Sequence, residues 1–295
     1  RSRIDHIKPG NLDDDFNEIK DADWVIEAVV ERIDIKHKLY SQIDKVRSPN
    51  SILSSNTSTI PLSILTQEMS DSMKADFCIT HFFNPVRFMR LLEIVETPTM
   101  NKDKMGGLRD FCKNELGKGI VNCNDTPGFI GNRIGVYAMQ VAMYEALERG
   151  LPVEIADALF GRPLGIPKTG VFGLYDLIGI DLMKDVLASF KKELQENDPF
   201  MDVVKPHPLV EQLLEKGFNG NKGPGGFYQT TIVEGDEHVK AMNTSDMSYY
   251  DFDKVDLEIA RRVEKEGIKA LLDDDSEYGR YAFAVLAKII NYSAF

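Results

Sequence analysis

The order of the first three apolar runs, and what separates them, constrains this chain more than any other feature. Asp23-Trp24-Val25-Ile26-Glu27-Ala28-Val29-Val30-Glu31 is mostly apolar and rich in β-branched residues, the pattern of a strand buried on both faces of a parallel sheet. Residues 32–47 then carry Ile33, Leu39, Ile43 and Val46 at largely helical spacing, and Ser48-Pro49-Asn50 stops them. Ile52-Leu53-Ser54-Ser55 is a second strand running into Asn56-Thr57-Ser58-Thr59. Pro61 opens a helical stretch to about Met69, and Phe77-Cys78-Ile79-Thr80 is a third strand ending at His81. Strand, helix, strand, helix, strand in this order implies right-handed crossovers and a parallel, doubly wound α/β sheet. Ligands of such sheets sit beyond the carboxyl ends of the strands. Glu31, the turn 56–58 and His81 each fall at such an end, so the three are expected to converge on one crevice.

Farther along, Leu91-Leu92-Glu93-Ile94-Val95 adds a strand, residues 102–116 read as a helix, and residues 119–123 close a first domain spanning 1–124. Asp125-Thr126-Pro127 has the form of a helix start, and residues 129–147 are apolar around the whole circumference, as in a buried helix. Helices punctuated by Pro and Gly continue to Lys216, and the glycine-rich loop 217–228 ends an all-α domain spanning 125–229. Residues 230–295 read as a polar linker followed by a helical tail, in which Tyr281, Val285 and Ile289 recur every four residues. That tail is expected to start a second helical domain.

Several function classes are disfavoured. With 35 basic and 47 acidic side chains the formal charge is −12, the wrong sign for a generic nucleic-acid or anionic-membrane surface. No run approaches the roughly 18 to 20 apolar residues of a membrane-spanning helix. Cys78, Cys112 and Cys123 fit no zinc spacing; unpaired cysteines are read as a reducing compartment, and the chain as soluble and cytoplasmic. No GxSxG elbow and no GxxxxGK[ST] loop occurs, and Pro224 removes an amide donor from the cluster Gly223-Pro224-Gly225-Gly226, which reads as a turn. The glycine pairs Gly117/Gly119 and Gly223/Gly225 are followed at the sixth position by Asn122 and Tyr228, so no GxGxxG fingerprint is present.

His81 is the sharpest chemical signal. A lone His at a strand end is more often a hydrogen-bonded core or cap residue, but Phe82-Phe83-Asn84-Pro85 follows it directly and the chain returns to bring Glu93 within reach, twelve residues on. Neighbouring strands then pair imidazole with carboxylate, which fixes the tautomer and leaves the other ring nitrogen as a general base. The hydroxyl-rich turn Ser54-Ser55-Asn56-Thr57-Ser58-Thr59 is as readily a helix cap before Pro61 as a substrate-facing loop. Asn132, an amide within the apolar Phe129-Ile130-Gly131-Asn132-Arg133, needs a partner when buried and could equally bond a neighbouring helix.

Taken together, these residues resemble the 3-hydroxyacyl-CoA dehydrogenases of fatty-acid β-oxidation from about Ile7 to Tyr228. The resemblance rests on Val25-Ile26-Glu27-Ala28-Val29-Val30-Glu31, Ser55-Asn56-Thr57-Ser58, His81-Phe82-Phe83-Asn84-Pro85, Glu93, Asp125-Thr126-Pro127-Gly128-Phe129-Ile130-Gly131-Asn132-Arg133 and Gly225-Gly226-Phe227-Tyr228, in order and spacing. Phe160-Gly161-Arg162-Pro163-Leu164-Gly165-Ile166-Pro167-Lys168-Thr169, with Arg280-Tyr281-Ala282 and Asn291-Tyr292-Ser293-Ala294, is similar to large multifunctional bacterial members in which a second helical domain and an enoyl-CoA hydratase module follow. The resemblance implies a Rossmann-type NAD-binding domain and an acyl-CoA substrate. It also implies that His81 takes the proton of the 3-hydroxyl, Glu93 orients the imidazole, Ser58 bonds the reacting oxygen and Asn132 holds the acyl substrate. Val29, Val30, Glu31, Lys36, Ser58 and Asn84 match positions that contact the dinucleotide. A homodimer, or packing against a second helical domain, is expected through the helical region.

The family's first strand, glycine turn and adenosine-ribose acid have no counterpart in these residues. The expectation is that the chain begins inside a longer polypeptide and by itself binds NAD poorly, because the pyrophosphate would lose its helix N-terminus. Two other readings compete. A different two-domain β-hydroxyacid dehydrogenase would use a Lys-centred site, against which the His81/Glu93 pair argues. A catalytically silent structural relative, of the kind recruited as a lens protein or scaffold, would have no need of Ser58, His81, Glu93 and Asn132.

Overall fold

A computed structural model describes residues 6–164, 166, 169–233, 236–253 and 255–295. The chain divides into two compact units, the first ending at Asn132 and the second starting at Arg133.

In the first unit, β1 (Trp24–Glu27), α1 (Ile33–Val46), β2 (Ile52–Ser55), α2 (Leu62–Leu65), α3 (Asp71–Lys74), β3 (Phe77–Phe82), β4 (Leu91–Glu96), α4 (Lys102–Asn114) and β5 (Gly119–Asn122) build a five-stranded sheet of order β1-β2-β3-β4-β5. The doubly wound plan is there, with β1, β2 and β3 parallel and β4 parallel to β5. One pair departs from it: β4 runs antiparallel to β3. Residues 83–90 are too few for the dozen or so that a parallel crossover needs, so the chain can only turn back.

Strand periodicity sorts the side chains into two layers. Leu53, Phe77, Ile79 and Val95 pack with Leu39, Tyr40, Ile43, Leu62, Leu65 and Phe129 on one face. Ile52, Cys78, Leu92 and Ile94 pack with Met105, Leu108 and Cys112 of α4 on the other. His81 shares the parity of Phe77 and Ile79, and Glu93 that of Val95, so both belong to the α1 face. The helical stretch expected from Pro61 to Met69 is interrupted: α2 is a single turn, and Ser70, whose hydroxyl accepts from the Met73 amide at 3.2 Å, caps the separate α3.

The second unit takes up α5 (Gly131–Glu148), which opens on the last two residues of the first, and continues through α6 (Val153–Leu159), α7 (Phe172–Ile178), α8 (Ile180–Glu193) and α9 (Pro208–Glu215). The expected start of α5 at Asp125 is displaced. Residues 127–130 form a turn with Gly128 and Phe129 at φ of 69° and 48°, and helix begins only at Gly131.

Two further expectations are corrected. The segment read as a linker holds a three-stranded antiparallel sheet of β6 (Tyr228–Val233), β7 (Asp236–Met242) and β8 (Tyr249–Asp251), which starts on the last two residues of the helical domain. Most of its outward residues are polar, with Ile232 and Val239 as exposed exceptions, so the strands carry few apolar positions to mark them. The tail, α10 (Glu258–Glu266), α11 (Lys269–Leu272) and α12 (Glu277–Ser293), is not a separate body: Tyr281, Ala282 and Val285 are fully buried in one cluster with Ala142 and Met143 of α5. The Tyr281 hydroxyl donates to the Ala142 carbonyl at 3.2 Å, and Lys288 pairs with Glu145 at 2.7 Å. No helix among the described residues is long and apolar enough to cross a membrane.

Two buried carboxyls hold the middle of this unit. Asp157 accepts from the amides of Phe172 (2.7 Å) and Gly173 (2.9 Å) at the start of α7 and from the Tyr228 hydroxyl (2.9 Å). Asp176 accepts from the amides of Phe227 (3.0 Å) and Tyr228 (2.7 Å). Gly170 and Gly226 make room for them, because a Cβ there would stand 2.3 Å from Asp157 and 1.9 Å from Asp176. Burial, only partly offset by these bonds, pushes Asp157 up to about 7 and Asp176 up to about 6. A carboxyl raised in the folded state binds its proton more tightly than in the unfolded chain, so its contribution to stability falls as pH rises through that window. Asp157→Asn, which cannot ionise, is therefore expected to gain stability relative to wild type between pH 5 and pH 8, as read by thermal melts at both pH values. A difference in melting temperature independent of pH would contradict this.

Candidate active site

The carboxyl ends of β1, β2 and β3 carry the polar residues of the first unit. Strand register sets His81 directly opposite Glu93, and shared parity turns both toward the same layer. His81 Nδ1 lies 2.8 Å from Glu93 Oε2. The second oxygen of Glu93 accepts from the backbone amides of Ile130 (2.9 Å) and Gly131 (2.6 Å). Glu93 is completely buried and His81 5% exposed. Burial by itself would raise the Glu93 carboxyl, but the hydrogen bonds from His81, Gly131 and Ile130 outweigh it and hold the group below its ordinary range. An ionised Glu93 accepts from Nδ1–H, and in the tautomer this selects for a neutral imidazole the lone pair is on His81 Nε2.

Aromatic rings fix the imidazole. Phe83 meets it edge-on with centroids 4.6 Å apart, and Phe129 stands at 5.6 Å. The positive φ of Phe129 belongs to the turn that aims the Ile130 and Gly131 amides at Glu93. Gly131 is required by close approach: a Cβ there would come 2.6 Å from Phe83 Cζ and 3.4 Å from Glu93 Oε1.

A second carboxylate organises the end of β1. Glu27, 3% exposed, accepts from Lys36 Nζ (2.7 Å), the Val29 amide (2.7 Å), the Tyr40 hydroxyl (2.6 Å) and the Ser55 hydroxyl (2.6 Å). Lys36 also reaches Glu31, at 3.1 Å. Glu31 in turn accepts from the Thr57 hydroxyl, the Thr59 hydroxyl (3.0 Å) and the amides of Ser58 and Thr59 (both 3.3 Å). Partial burial opposes ionisation of Glu31, but Thr57 and the Lys36 ammonium outweigh it and hold the carboxyl below its usual range. Asn56 Oδ1 accepts from the Phe82 amide at 3.0 Å, next to His81. A continuous set of polar bonds thus runs from Glu27 through Lys36 and Glu31 to the 56–59 turn and on to the His81 strand.

The structure brings Glu31, Lys36 and Ser58 together, and separately His81 and Glu93, with Asn132 one residue beyond the Gly131 amide that Glu93 accepts. Val30 is 58% exposed, Asn84 is exposed ahead of a cis bond to Pro85, and Val29 is half-buried. Lys36 differs from a surface contact: its side chain is 1% exposed and its ammonium is shared by two carboxylates, so it meets the surface only through Glu31. Among the described residues, the side chains of Ser58, Asn84 and Asn132 hold no hydrogen bond, leaving them available to a ligand. Sequence reasoning missed Glu27, whose one signal was an acid inside an apolar strand. It also gave Asp125 the wrong helix: the carboxylate accepts from the amides of Leu62 (2.6 Å) and Ser63 (3.0 Å), capping α2.

Comparison with known proteins shows the family. The family described as "3-hydroxyacyl-CoA dehydrogenase, NAD binding domain" matches residues 2–126, and "3-hydroxyacyl-CoA dehydrogenase, C-terminal domain" matches residues 128–230. A protein of Rickettsia felis, named as a fatty acid oxidation complex trifunctional enzyme, is 38% identical over 99% of this chain and 40% of its own length. The chain spans roughly two fifths of the curated relatives that it matches almost from end to end, with shares of 40%, 39% and 36%. Among solved structures, M. tuberculosis FadB2 is 30% identical with a TM-score of 0.61, covering 74% of each chain. The 3-hydroxybutyryl-CoA dehydrogenase of Escherichia coli is 31% identical with a TM-score of 0.62, covering 73% of this chain and 44% of that one.

Gly131→Ala tests the tightness of the Glu93 clamp. The added methyl must displace the Phe83 ring, and overpacking of this kind costs about 1–3 kcal/mol. Urea unfolding is expected to show a loss in that range with an unchanged m-value; a stability equal to wild type would mean the turn has slack.

Proposed function

We propose that this chain, which belongs to the 3-hydroxyacyl-CoA dehydrogenase family, is the dehydrogenase part of a longer protein that oxidises L-3-hydroxyacyl-CoA to 3-oxoacyl-CoA in fatty-acid β-oxidation. The observation that carries this reading is the imidazole of His81, held through Nδ1 by a buried carboxylate that two backbone amides also hold, with Nε2 left free. The trifunctional name of the Rickettsia relative supports a fused enoyl-CoA hydratase module. The packing of α12 on α5 supports intrachain burial of the helical surface as the alternative to a homodimer.

The residues at the strand ends fit a dinucleotide. Val30 offers an exposed apolar surface, Glu31 a carboxylate for hydroxyl groups, and Ser58 and Asn84 uncommitted polar side chains, with Val29 lining the same loop and Lys36 holding Glu31 in place. NAD, when bound, supplies the acceptor for the hydride that leaves carbon 3 of the substrate. The rest is work for the chain's own side chains. His81 Nε2 accepts the proton of the 3-hydroxyl as the carbonyl forms, Ser58 donates to that oxygen, and Asn132 holds the acyl group. Glu93 keeps the imidazole in the tautomer that presents its lone pair and balances the positive charge the ring acquires. Phe83 and Phe129 shield the ring from water, which strengthens the attraction between imidazolium and carboxylate.

Glu93→Gln in the full-length protein tests the reading. The amide is nearly isosteric but carries no charge and can hold the imidazole in the wrong tautomer. Turnover of acetoacetyl-CoA with NADH, followed by absorbance, is expected to fall by about 10²- to 10⁴-fold, with thermal melts confirming the fold. His81→Ala should fall at least as far, and the double variant scarcely further, because the two residues act as a unit. Wild-type turnover in folded Glu93→Gln would make the carboxylate structural and the assignment of the pair wrong, whereas a wild-type protein without turnover would favour the catalytically silent reading.

A further inference from the structure

We propose that Asp125 is a positioning residue for this reaction, setting the Ser58 turn against the His81–Glu93 pair; the inference rests on the dehydrogenase reading above. Asp125 is exposed and contributes nothing to the core, yet its carboxylate joins two segments far apart in sequence. One oxygen accepts from the Leu62 amide at 2.6 Å and the other from the Ser63 amide at 3.0 Å. Leu62 is the fourth residue after Ser58, across Thr59, Ile60 and Pro61. The short segment between them has little slack, because Ile60 donates its amide to the Thr57 hydroxyl at 3.0 Å and Pro61 fixes its own φ.

On its other side Asp125 opens the turn that ends on Glu93. Cys123 is pinned to β4 through its amide and the Ile94 carbonyl at 2.9 Å, Thr126 donates to the Asn124 carbonyl at 2.8 Å, and Phe129 to Thr126 at 3.0 Å. Phe129 then packs on His81, and the next two amides bind Glu93. One carboxylate therefore ties the loop bearing the oxygen-binding hydroxyl to the loop that clamps the general-base pair. Glu31 holds the Ser58 turn from the β1 side and Asn56 holds it to β3; Asp125 supplies the bond to the Glu93 turn. A misplacement of about 1 Å in such a constellation can cost as much as about 10²-fold in rate.

The test uses the full-length protein with Asp125→Asn, which can accept from only one of the two amides, and Asp125→Ala, which can accept from neither, with thermal melts confirming the fold. The expected result is a kcat for acetoacetyl-CoA reduction about tenfold lower with KM for NADH changed less than about twofold. In a Ser58→Ala background the same Asp125 substitutions should cost less than about twofold, because a residue acting through Ser58 has nothing left to position. Folded Asp125 variants with wild-type kcat, or losses that simply multiply with that of Ser58→Ala, overturn the inference while leaving the dehydrogenase reading intact. A wild-type protein that does not turn over acetoacetyl-CoA at all overturns that reading, and this inference with it.

Discussion

The carboxylate of Glu93 is the constraint on which the site depends. A fully buried anion is costly unless it is hydrogen-bonded, and the first unit meets that demand with His81 on one oxygen and two backbone amides on the other. The requirement reaches well beyond the pair. Residues 127–130 must remain a turn rather than join α5, position 131 leaves little room for a side chain, and β4 must return antiparallel to β3 so that Glu93 stands opposite His81. A parallel β4 would need a crossover segment and would take the carboxylate elsewhere in the register.

Glu27 plays the equivalent part at the end of β1. Its four donors come from the following loop, from two positions on α1 and from β2, so Glu27 fixes where α1 lies on the sheet. Lys36 shares its charge between Glu27 and Glu31, which makes the exposed acid at the crevice a dependent of the buried one. Stability and positioning are not separable here. The same bonds that satisfy the buried carboxyl also place Glu31, the 56–59 turn and the Phe82 amide.

The second unit follows a different logic. Its core is a continuous apolar cluster built around α5, and the tail helices complete that cluster instead of starting another. The four-residue recurrence of Tyr281, Val285 and Ile289 announced an amphipathic helix but not what it covers, since periodicity defines a face and not its partner. The β6–β8 sheet was harder still to read, because strands with one polar and one apolar face look like linker when the apolar positions are few.

By itself the sequence determined the alternation of strands and helices in the first unit, the carboxyl-end placement of Glu31, the 56–58 turn and His81, and the separation of His81 and Glu93 that suits neighbouring strands. These are local properties: β-branched runs, helical spacing, Pro and Gly punctuation. Only the tertiary structure decided which carboxylates are buried and who their donors are. Nothing near Glu27 in sequence points to Tyr40 and Ser55, and nothing near Asp125 points to α2, 63 residues away. The physical reason is that a carboxylate chooses its donors by proximity in space, which the sheet order and the turn at residues 127–130 create, whereas sequence pattern reports only which face of its own element a residue will occupy.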